Sequence, residues 1–278
     1  MRTNKNLLKA VLRARYKKKL STFKSKIDLE INKKNYIIKT ANTPEELEQV
    51  LTLRHQVFLE ELLHKKRFIE VDFDKFDILC DHLMIINKTD ESLIGTYRLN
   101  CSKFNDSFYS ATEFNIKSII DLPGDKVELG RACVHPEYRN GMTIALLWKG
   151  LSEYMTISES RFFFGCSSIK NLDYMEILNI YLTLEKSGHL VHLPGVKPIG
   201  KFRSRSLKKL IKAENKRPET DEKELLASLP PLLKSYIKAG AKVIGRPALD
   251  KDFQCFDFLT LLDFRNVNQK YRDKYKKW

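Results

Sequence analysis

The chain has 278 residues, of which 42% are hydrophobic, so it can bury a sizeable core and is not a wholly disordered protein. Its formal net charge is +15, and many of the bases lie in residues 1–34 and 201–217. This distribution favours an acidic surface partner, such as a membrane, an acidic protein or nucleic acid, over the alternative of solvated lysine-rich faces.

The five cysteines form no CxxC pair and no zinc-like spacing with the six histidines. We therefore expect a cytoplasmic protein without a bound metal. The basic N-terminus lacks the apolar region of a secretory signal, and no run approaches the roughly 20 apolar residues of a membrane span.

The N-terminal segment, residues 1–34, mixes apolar side chains with many lysines and arginines. Within it, residues 5–27 have the pattern of a short amphipathic helix able to lie on an anionic bilayer. A helix packed on the rest of the protein, or a mobile tail, fits the same pattern.

A first strand is predicted at residues 36–40, and a helix follows it. Thr43, Pro44 and Glu46 supply an N-cap, a proline at the first helical position and an acid three residues after the cap. The helix is expected to run to about Leu63, with Arg54 inside its apolar stripe. A guanidinium there either extends its charged end to solvent or binds an anion.

Acidic and aromatic residues alternate in the next stretch, residues 70–82, which includes Asp72 and Asp77. It lacks the glycine and distal glutamate of a calcium loop, so we expect no metal here. The acids either attract a cationic substrate or are solvated. Residues 83–86 and 93–99 then predict an antiparallel strand pair that carries Arg98.

The apolar run at residues 127–134 predicts a buried central strand that carries Glu128 and Arg131. In a regular strand these two side chains point to opposite faces. A β-bulge at Gly130 would bring both charges to one face. A plain strand with one charge at each edge is the alternative.

A short turn at residues 135–141 joins this strand to an amphipathic helix at 142–155. The amides at the helix start and the neighbouring Arg139 suit an anion such as a phosphate.

Further strands are predicted at 161–166, 242–245 and 256–262, and further helices at 172–186 and from Leu229 to Gly240. Residues 195–224 are predicted to be a basic loop or linker, and residues 266–278 a charged tail. The order of elements predicts one mixed α/β domain over residues 35–265.

These motifs together resemble the GNAT acyltransferase superfamily, and within it the ornithine-lipid type of N-acyltransferase, over about residues 36–264. Acyl-homoserine-lactone synthases are a similar sister group. The motifs that carry the resemblance are Leu53-Arg54-His55-Gln56-Val57-Phe58, Phe76 to Leu83, Gly95 to Leu99, Glu128 to Gly141, Leu146 to Gly150, Phe164-Gly165-Cys166 and Leu229 to Lys234. The resemblance implies a central, mostly antiparallel sheet flanked by helices.

The resemblance implies catalytic roles for Glu128, as the general base, and for Arg131. Arg98 and Arg131 would either hold the carboxylate of an amino-acid acceptor or brace the acidic loop, which is the stretch at residues 70–82. Asp72 and Asp77 would either meet a second cation of the acceptor or pair with Arg54. The positions that the resemblance assigns to substrate binding are Arg54, Phe58, Asp72, Asp77 and Arg98.

The donor loop departs from the usual acetyl-CoA pattern at Arg139, Asn140 and Gly141, which we assign to donor binding. A donor on acyl carrier protein has a phosphopantetheine arm but no adenosine diphosphate, so we expect acyl carrier protein as the partner and no bound cofactor. Lys149 and residues 201–217 are the expected docking surface. The main functional expectation is transfer of a 3-hydroxy fatty acyl group to ornithine.

Two alternatives remain from the sequence. The first is an acyl-homoserine-lactone-like or other N-acyl amino acid synthase. The second is a basic nucleic-acid-binding protein, which the scarcity of aromatic residues in the lysine-rich segments disfavours.

Overall fold

The computed structural model describes residues 2–65, 67–213 and 221–267 of the chain, with side chains from residue 10 onward. The helices are α1 Arg2–Leu20, α2 Pro44–Arg54, α3 Ser110–Glu113, α4 Lys117–Ile120, α5 Gly141–Ser158, α6 Tyr174–Lys186, α7 Arg205–Ala213, α8 Glu222–Ser228 and α9 Pro231–Ala239. The strands are β1 Glu30–Asn32, β2 Tyr36–Thr40, β3 Asp81–Asn87, β4 Leu93–Cys101, β5 Phe114–Asn115, β6 Lys126–Val134, β7 Phe162–Ile169, β8 Leu190–Val191, β9 Lys197–Pro198, β10 Lys242–Ile244, β11 Ala248–Asp250 and β12 Cys255–Asp263.

The described residues form two compact units. The first contains residues 2–106 and 129–159, and the second contains residues 107–128 and 160–267. Strand β6 contributes to both, because its first three residues belong to the second unit and the remainder to the first.

The first unit is built on a sheet in which β1, β2, β3 and β4 pair in antiparallel order and β6 lies beside β4. Helix α5 packs on β2, β3 and β4. The approach is close at Gly150, where an added Cβ atom would lie 2.7 Å from a methyl carbon of Leu83 and 2.8 Å from one of Ile38. Any larger residue at position 150 would therefore force these side chains or the helix to shift.

The N-terminal segment is part of the first unit. Tyr16, Leu20 and Phe23 are buried in the cluster that also holds apolar residues of α2. The backbone amides of Lys26 and Ile27 donate to the carboxylate of Asp81 over 2.6 and 3.2 Å. Of the alternatives that the sequence left open, the packed helix is the one observed for these residues.

Helix α2 begins as predicted, since the Thr43 side chain accepts a hydrogen bond from the Glu46 amide and Pro44 follows the cap. At His55 it changes into a π-helix that ends at Glu61. The predicted helix therefore has nearly the expected length, but its second half has a wider turn. Arg54 is the last residue before this change, and π-helical turns occur frequently at functional sites.

The second unit has a sheet in which β7, β12 and β10 pair antiparallel, β11 pairs with β12, and β8 joins β10 in parallel. The first three residues of β6 pair in parallel with β7. Apolar side chains of α6, α7, α8 and α9 share one core cluster with this sheet. Both units thus have mostly antiparallel sheets flanked by helices, and the predicted α/β fold class is confirmed.

The prediction of a loop or linker at residues 195–224 was wrong. This stretch contains β9, which pairs with β5, and also α7 and the start of α8. Leu207 is buried in the core cluster of the second unit, and Leu210 and Ile211 pack against that cluster. The lysine-rich sequence therefore forms an amphipathic helix. Residues 214–220, and the predicted tail from residue 268 onward, lie outside the described residues.

Among the described helices, none combines the length and apolar character needed to span a bilayer.

Candidate functional site

The central strand β6 has an irregular backbone where the sequence predicts a bulge. Arg131 has a φ of +52°, a left-handed conformation that a side chain other than glycine rarely adopts. The irregularity therefore lies one residue after Gly130. Pairing between β6 and β7 extends to Glu128 opposite Phe164, and β6 continues for six further residues.

The innermost part of the candidate site in the first unit is an ion-pair group around Arg54, at the end of α2. Its guanidinium donates to Asp72 over 2.6 and 2.9 Å and to Asp77 over 2.7 Å. The side chains of Arg54 and Asp77 are fully buried. The structure thus places Asp72 and Asp77 in the role of partners to Arg54, one of the two roles that the sequence left open.

The outer part of the site is built on the third acid, Asp74. Arg98 from β4 donates to Asp74 over 2.8 Å and to Asp77 over 2.9 Å. Arg131 from β6 donates to Asp74 over 3.2 Å and lies 3.6 Å from Asp72. Arg98 and Arg131 therefore brace the acidic loop. This is one of the two roles predicted for them, the other being to hold the carboxylate of the acceptor. The side chain of Asp74 is 24% exposed and that of Arg131 is 14% exposed, so this end of the network reaches solvent.

Three arginines and three aspartates balance one another in this network, which explains how they tolerate burial. Burial alone would raise the pKa of Asp77, but Arg54 and Arg98 hold it far below its usual range. Burial lowers the pKa of the neighbouring His82 to about 4, so this imidazole is neutral at neutral pH. Its Nε2 atom lies 2.8 Å from the backbone oxygen of Asp77.

Phe58, predicted to bind substrate, lies apart from the network's contacts. It is partly buried and packs against the cluster of Leu53, Val57 and Cys133. Burial raises the pKa of the Cys133 thiol to about 12, which indicates a structural rather than a nucleophilic cysteine.

Glu128, the predicted general base, lies in the second unit and is 5% exposed. One carboxylate oxygen accepts the backbone amide of Tyr109 over 2.8 Å, and the other accepts the amide of Ser110 over 2.6 Å. Both donors stand at the start of α3, so a short loop fixes the orientation of this carboxylate.

The turn predicted to bind the donor leads into α5, as the sequence predicts, and its side chains contact other groups of the protein. Asn140 caps the helix by accepting the amides of Met142 and Thr143, each over 3.0 Å. Arg139 forms two hydrogen bonds of 2.6 Å with Glu61, at the end of the π-helix. Gly141 is the first residue of α5, and its Cβ position opens onto free space.

A second acidic group, which the sequence analysis did not identify, lies in the second unit. One carboxylate oxygen from each of Glu113, Asp250 and Asp257 lies within 4.8 Å of the others, and all three residues are buried. Burial, reinforced by Asp257, raises the pKa of Glu113 to about 9. Burial also raises the pKa of Asp257. Glu113 therefore retains its proton at neutral pH, and the expected absence of a metal stays a prediction.

Sequence reasoning missed Asp74, although it lies within the acidic stretch that was singled out. Its spacing from Asp72 and Asp77 gives no sign that it connects two arginines, because those arginines are 24 and 57 residues away along the chain. Glu61 was missed for the same reason, since it lies 78 residues from Arg139.

The class of protein follows from the fold and from a family comparison. The family described as "Acetyltransferase (GNAT) domain" matches residues 53–149, which include Arg54, the acidic loop, Arg98 and β6. An "L-ornithine N(alpha)-acyltransferase" of Rhizobium meliloti (strain 1021) is 30% identical over 261 residues, covering 87% of this chain and 84% of that protein. The chain belongs to the L-ornithine N(alpha)-acyltransferase family, as the sequence motifs predicted.

A second relative agrees with this assignment, and one solved structure is only distantly similar. An "L-ornithine N(alpha)-acyltransferase" of Agrobacterium fabrum (strain C58 / ATCC 33970) is 29% identical over 255 residues, covering 84% of this chain and 83% of that protein. The structure of the CoA-dependent acyl-homoserine lactone synthase BjaI has a TM-score of 0.47 at 15% identity, covering 84% and 82% of the two chains. At that score the likeness supports no inference about this chain.

Proposed function

We propose that the chain is an N-acyltransferase that moves a 3-hydroxy fatty acyl group from acyl carrier protein to the α-amine of ornithine. The product is a lyso-ornithine-type lipid. The observation that carries the proposal is the similarity to L-ornithine N(alpha)-acyltransferases over 87% of the chain. The carrier-protein donor rests on the departure of the donor turn from the acetyl-CoA pattern.

The reaction joins an amine to a thioester. An amino-acid amine is mostly protonated near neutral pH, so it must lose one proton before it attacks. The nitrogen then attacks the thioester carbonyl, a C–N bond forms, and the C–S bond breaks. The pantetheine thiolate leaves with the electron pair and takes up the second proton, which the nitrogen loses as it becomes an amide. The chain supplies a base, orienting charges and backbone amides, and no covalent acyl-enzyme is required.

Glu128 is the proposed base, acting directly or through a water molecule. Its support is geometric: the amides of Tyr109 and Ser110 hold both carboxylate oxygens, so the side chain is oriented before substrate binds. Strand β6 also departs from regular geometry at Arg131, three residues later. The backbone amides of this irregular segment are the proposed donors to the oxyanion.

The acidic network is proposed to bind the acceptor through its outer end. Arg54, Asp72 and Asp77 are almost completely buried and pair with one another, so they hold the loop in place. Asp74 and Arg131 are more exposed and present one charge of each sign. An ornithine molecule carries a carboxylate and two ammonium groups, which matches charges of both signs.

Turnover assays test the proposal directly. The purified protein is mixed with a long-chain 3-hydroxyacyl carrier protein and a pool of free amino acids, and the products are identified by mass spectrometry. N-acyl ornithine is the expected product. An acyl-homoserine-lactone-like product, or acylation of an amino acid other than ornithine, would overturn the choice of acceptor.

Glu128→Gln tests the base. We expect kcat to fall by about 10²- to 10⁴-fold, the usual contribution of a positioned base, with little change in the KM for ornithine. Glu224→Gln, at an exposed glutamate of α8, is the matched control and should retain full activity. Full turnover by Glu128→Gln would show that Glu128 is not the base.

We also propose a cytoplasmic protein that associates with an anionic membrane surface through α1. The apolar residues Tyr16 and Leu20 face the core, whereas Arg15, Lys17 and Lys18 are exposed. Deletion of the segment would damage the first unit, so charge reversal of these three bases is the better test. Sedimentation with anionic vesicles should weaken, and unchanged sedimentation would contradict the proposal.

A further inference from the structure

A pocket of about 280 Å³ in the second unit is lined by cations from three separate segments of the chain. Lys197 comes from β9, Arg203, Arg205 and Lys208 come from the start of α7, and Arg246 comes from the turn between β10 and β11. None of the described residues that line the pocket is acidic. Within the described part of the chain, none of these five cations forms an ion pair. A neighbouring lysine differs, because Lys201 pairs with Asp252.

Like charges that converge on a concave surface repel one another, and the repulsion is relieved when an anion binds between them. Arginine guanidinium groups are planar and offer paired N–H donors that match the oxygens of a phosphate. Three of the five cations here are arginines.

The start of α7 adds to the positive potential. Ser204 lines the pocket, and its hydroxyl accepts the amide of Leu207 over 3.2 Å, as a capping residue does. Arg205 is the first residue of the nine-residue helix, so the positive end of the helix dipole lies at the pocket.

The remaining lining residues indicate what else the ligand contains. Pro198, Leu207 and Pro247 add apolar surface. The volume exceeds what one phosphate group occupies, so an aliphatic group attached to the phosphate would fill the rest. The described lining residues include no aromatic side chain, which disfavours stacking of a nucleobase.

We propose that this basic pocket binds the phosphate group of an aliphatic phosphate ester. The proposal requires no acyl-transfer step, so it stands or fails separately from the proposed function. Two sources share this chemistry, namely a phosphopantetheine arm and a glycerophosphate headgroup of a lipid.

Titration calorimetry on the full chain tests the proposal with inorganic phosphate, 4′-phosphopantetheine and glycerol 3-phosphate. We expect Arg203→Gln/Arg205→Gln to weaken binding by at least about tenfold, because each lost arginine removes charge-assisted hydrogen bonds. The matched control is Lys209→Gln/Lys212→Gln, which removes the same charge from exposed positions of α7 that do not line the pocket. The control should bind as the wild type does.

Single substitutions guard against loss of folding in the double variants. Lys208→Gln, within the pocket, should weaken phosphate binding more than Lys209→Gln, its exposed neighbour. Tighter binding of one organic ester supports the proposal and identifies its source. Equal affinity for all three compounds supports recognition of the phosphate alone. No binding, or equal weakening by pocket and control variants, would overturn it.

Discussion

Arg54 shows why the role of a buried charge depends on residues distant in sequence. The apolar stripe of α2 places it toward the core, and its partners Asp72 and Asp77 come 18 and 23 residues later. Sequence reasoning could therefore identify an arginine in need of an anion, but it could not choose between substrate and protein carboxylates. The structure assigns Asp72 and Asp77 as those partners.

Removal of one charge from this network should show how much its ion pairs contribute to the free energy of unfolding. Asp77→Asn removes the buried carboxylate that Arg54 and Arg98 share and leaves an excess of buried positive charge, so we expect the free energy of unfolding to fall by about 3–5 kcal/mol. Asp74→Asn, at a side chain that is 24% exposed, should cost about 1 kcal/mol or less. Urea denaturation of both variants measures the difference. Equal losses would mean that burial does not govern the energetics of the network.

The pKa of Glu113 predicts how stability depends on pH. The folded value is about 9 and the ordinary value is 4.5, so the unfolded chain loses its proton first as the pH rises. The stabilising contribution is complete below pH 4.5 and is lost progressively up to about pH 9. Asp250, Asp257 and Cys166 face this carboxyl within the second unit, and none of them supplies a positive charge.

Glu113→Gln removes this titration while keeping the shape of the side chain. We expect the variant to gain stability relative to wild type between pH 5 and pH 9, by a few degrees in Tm at the alkaline end. Glu137→Gln, at an exposed glutamate, is the control and should show no such trend. Thermal unfolding at several pH values measures it, and parallel curves for wild type and Glu113→Gln would contradict the expectation.

Among the secondary-structure elements, those with clear periodicity were predictable. Strands β2, β3 and β4 and helix α5 lie close to their predicted bounds. The π-helix after Arg54 was not predictable, because a wider turn leaves no distinct spacing of apolar residues in so short a stretch. Helix α7 was missed because lysines dominate its composition, although its apolar face packs on the core.

Strand β6 stores backbone strain at Arg131, and a pair of substitutions can separate that strain from the loss of charge. Arg131→Gly removes the ion pairs, and glycine adopts a φ of +52° without strain. Arg131→Val removes the same ion pairs and adds a branched side chain that disfavours this conformation. We expect the valine variant to be less stable than the glycine variant by about 1–3 kcal/mol in chemical denaturation. Equal stabilities would show that the backbone relaxes without cost.

For the whole molecule, the net charge of +15 predicts that binding of the proposed donor, an acidic acyl carrier protein, depends on salt. We expect the KM for acyl carrier protein to rise by about five- to tenfold between 50 and 300 mM salt, since screening shortens the reach of surface charges. The KM for a small thioester donor should change little under the same conditions. A salt-independent KM for the carrier protein would contradict electrostatic docking.

The first unit is discontinuous in sequence, and this order has a consequence for synthesis of the chain. Residues 107–125 must leave the ribosome before β6, which completes the sheet, and α5, which covers β2, β3 and β4. A nascent chain that ends near residue 106 therefore exposes one face of its strands. It cannot finish folding until about residue 159 has emerged from the exit tunnel.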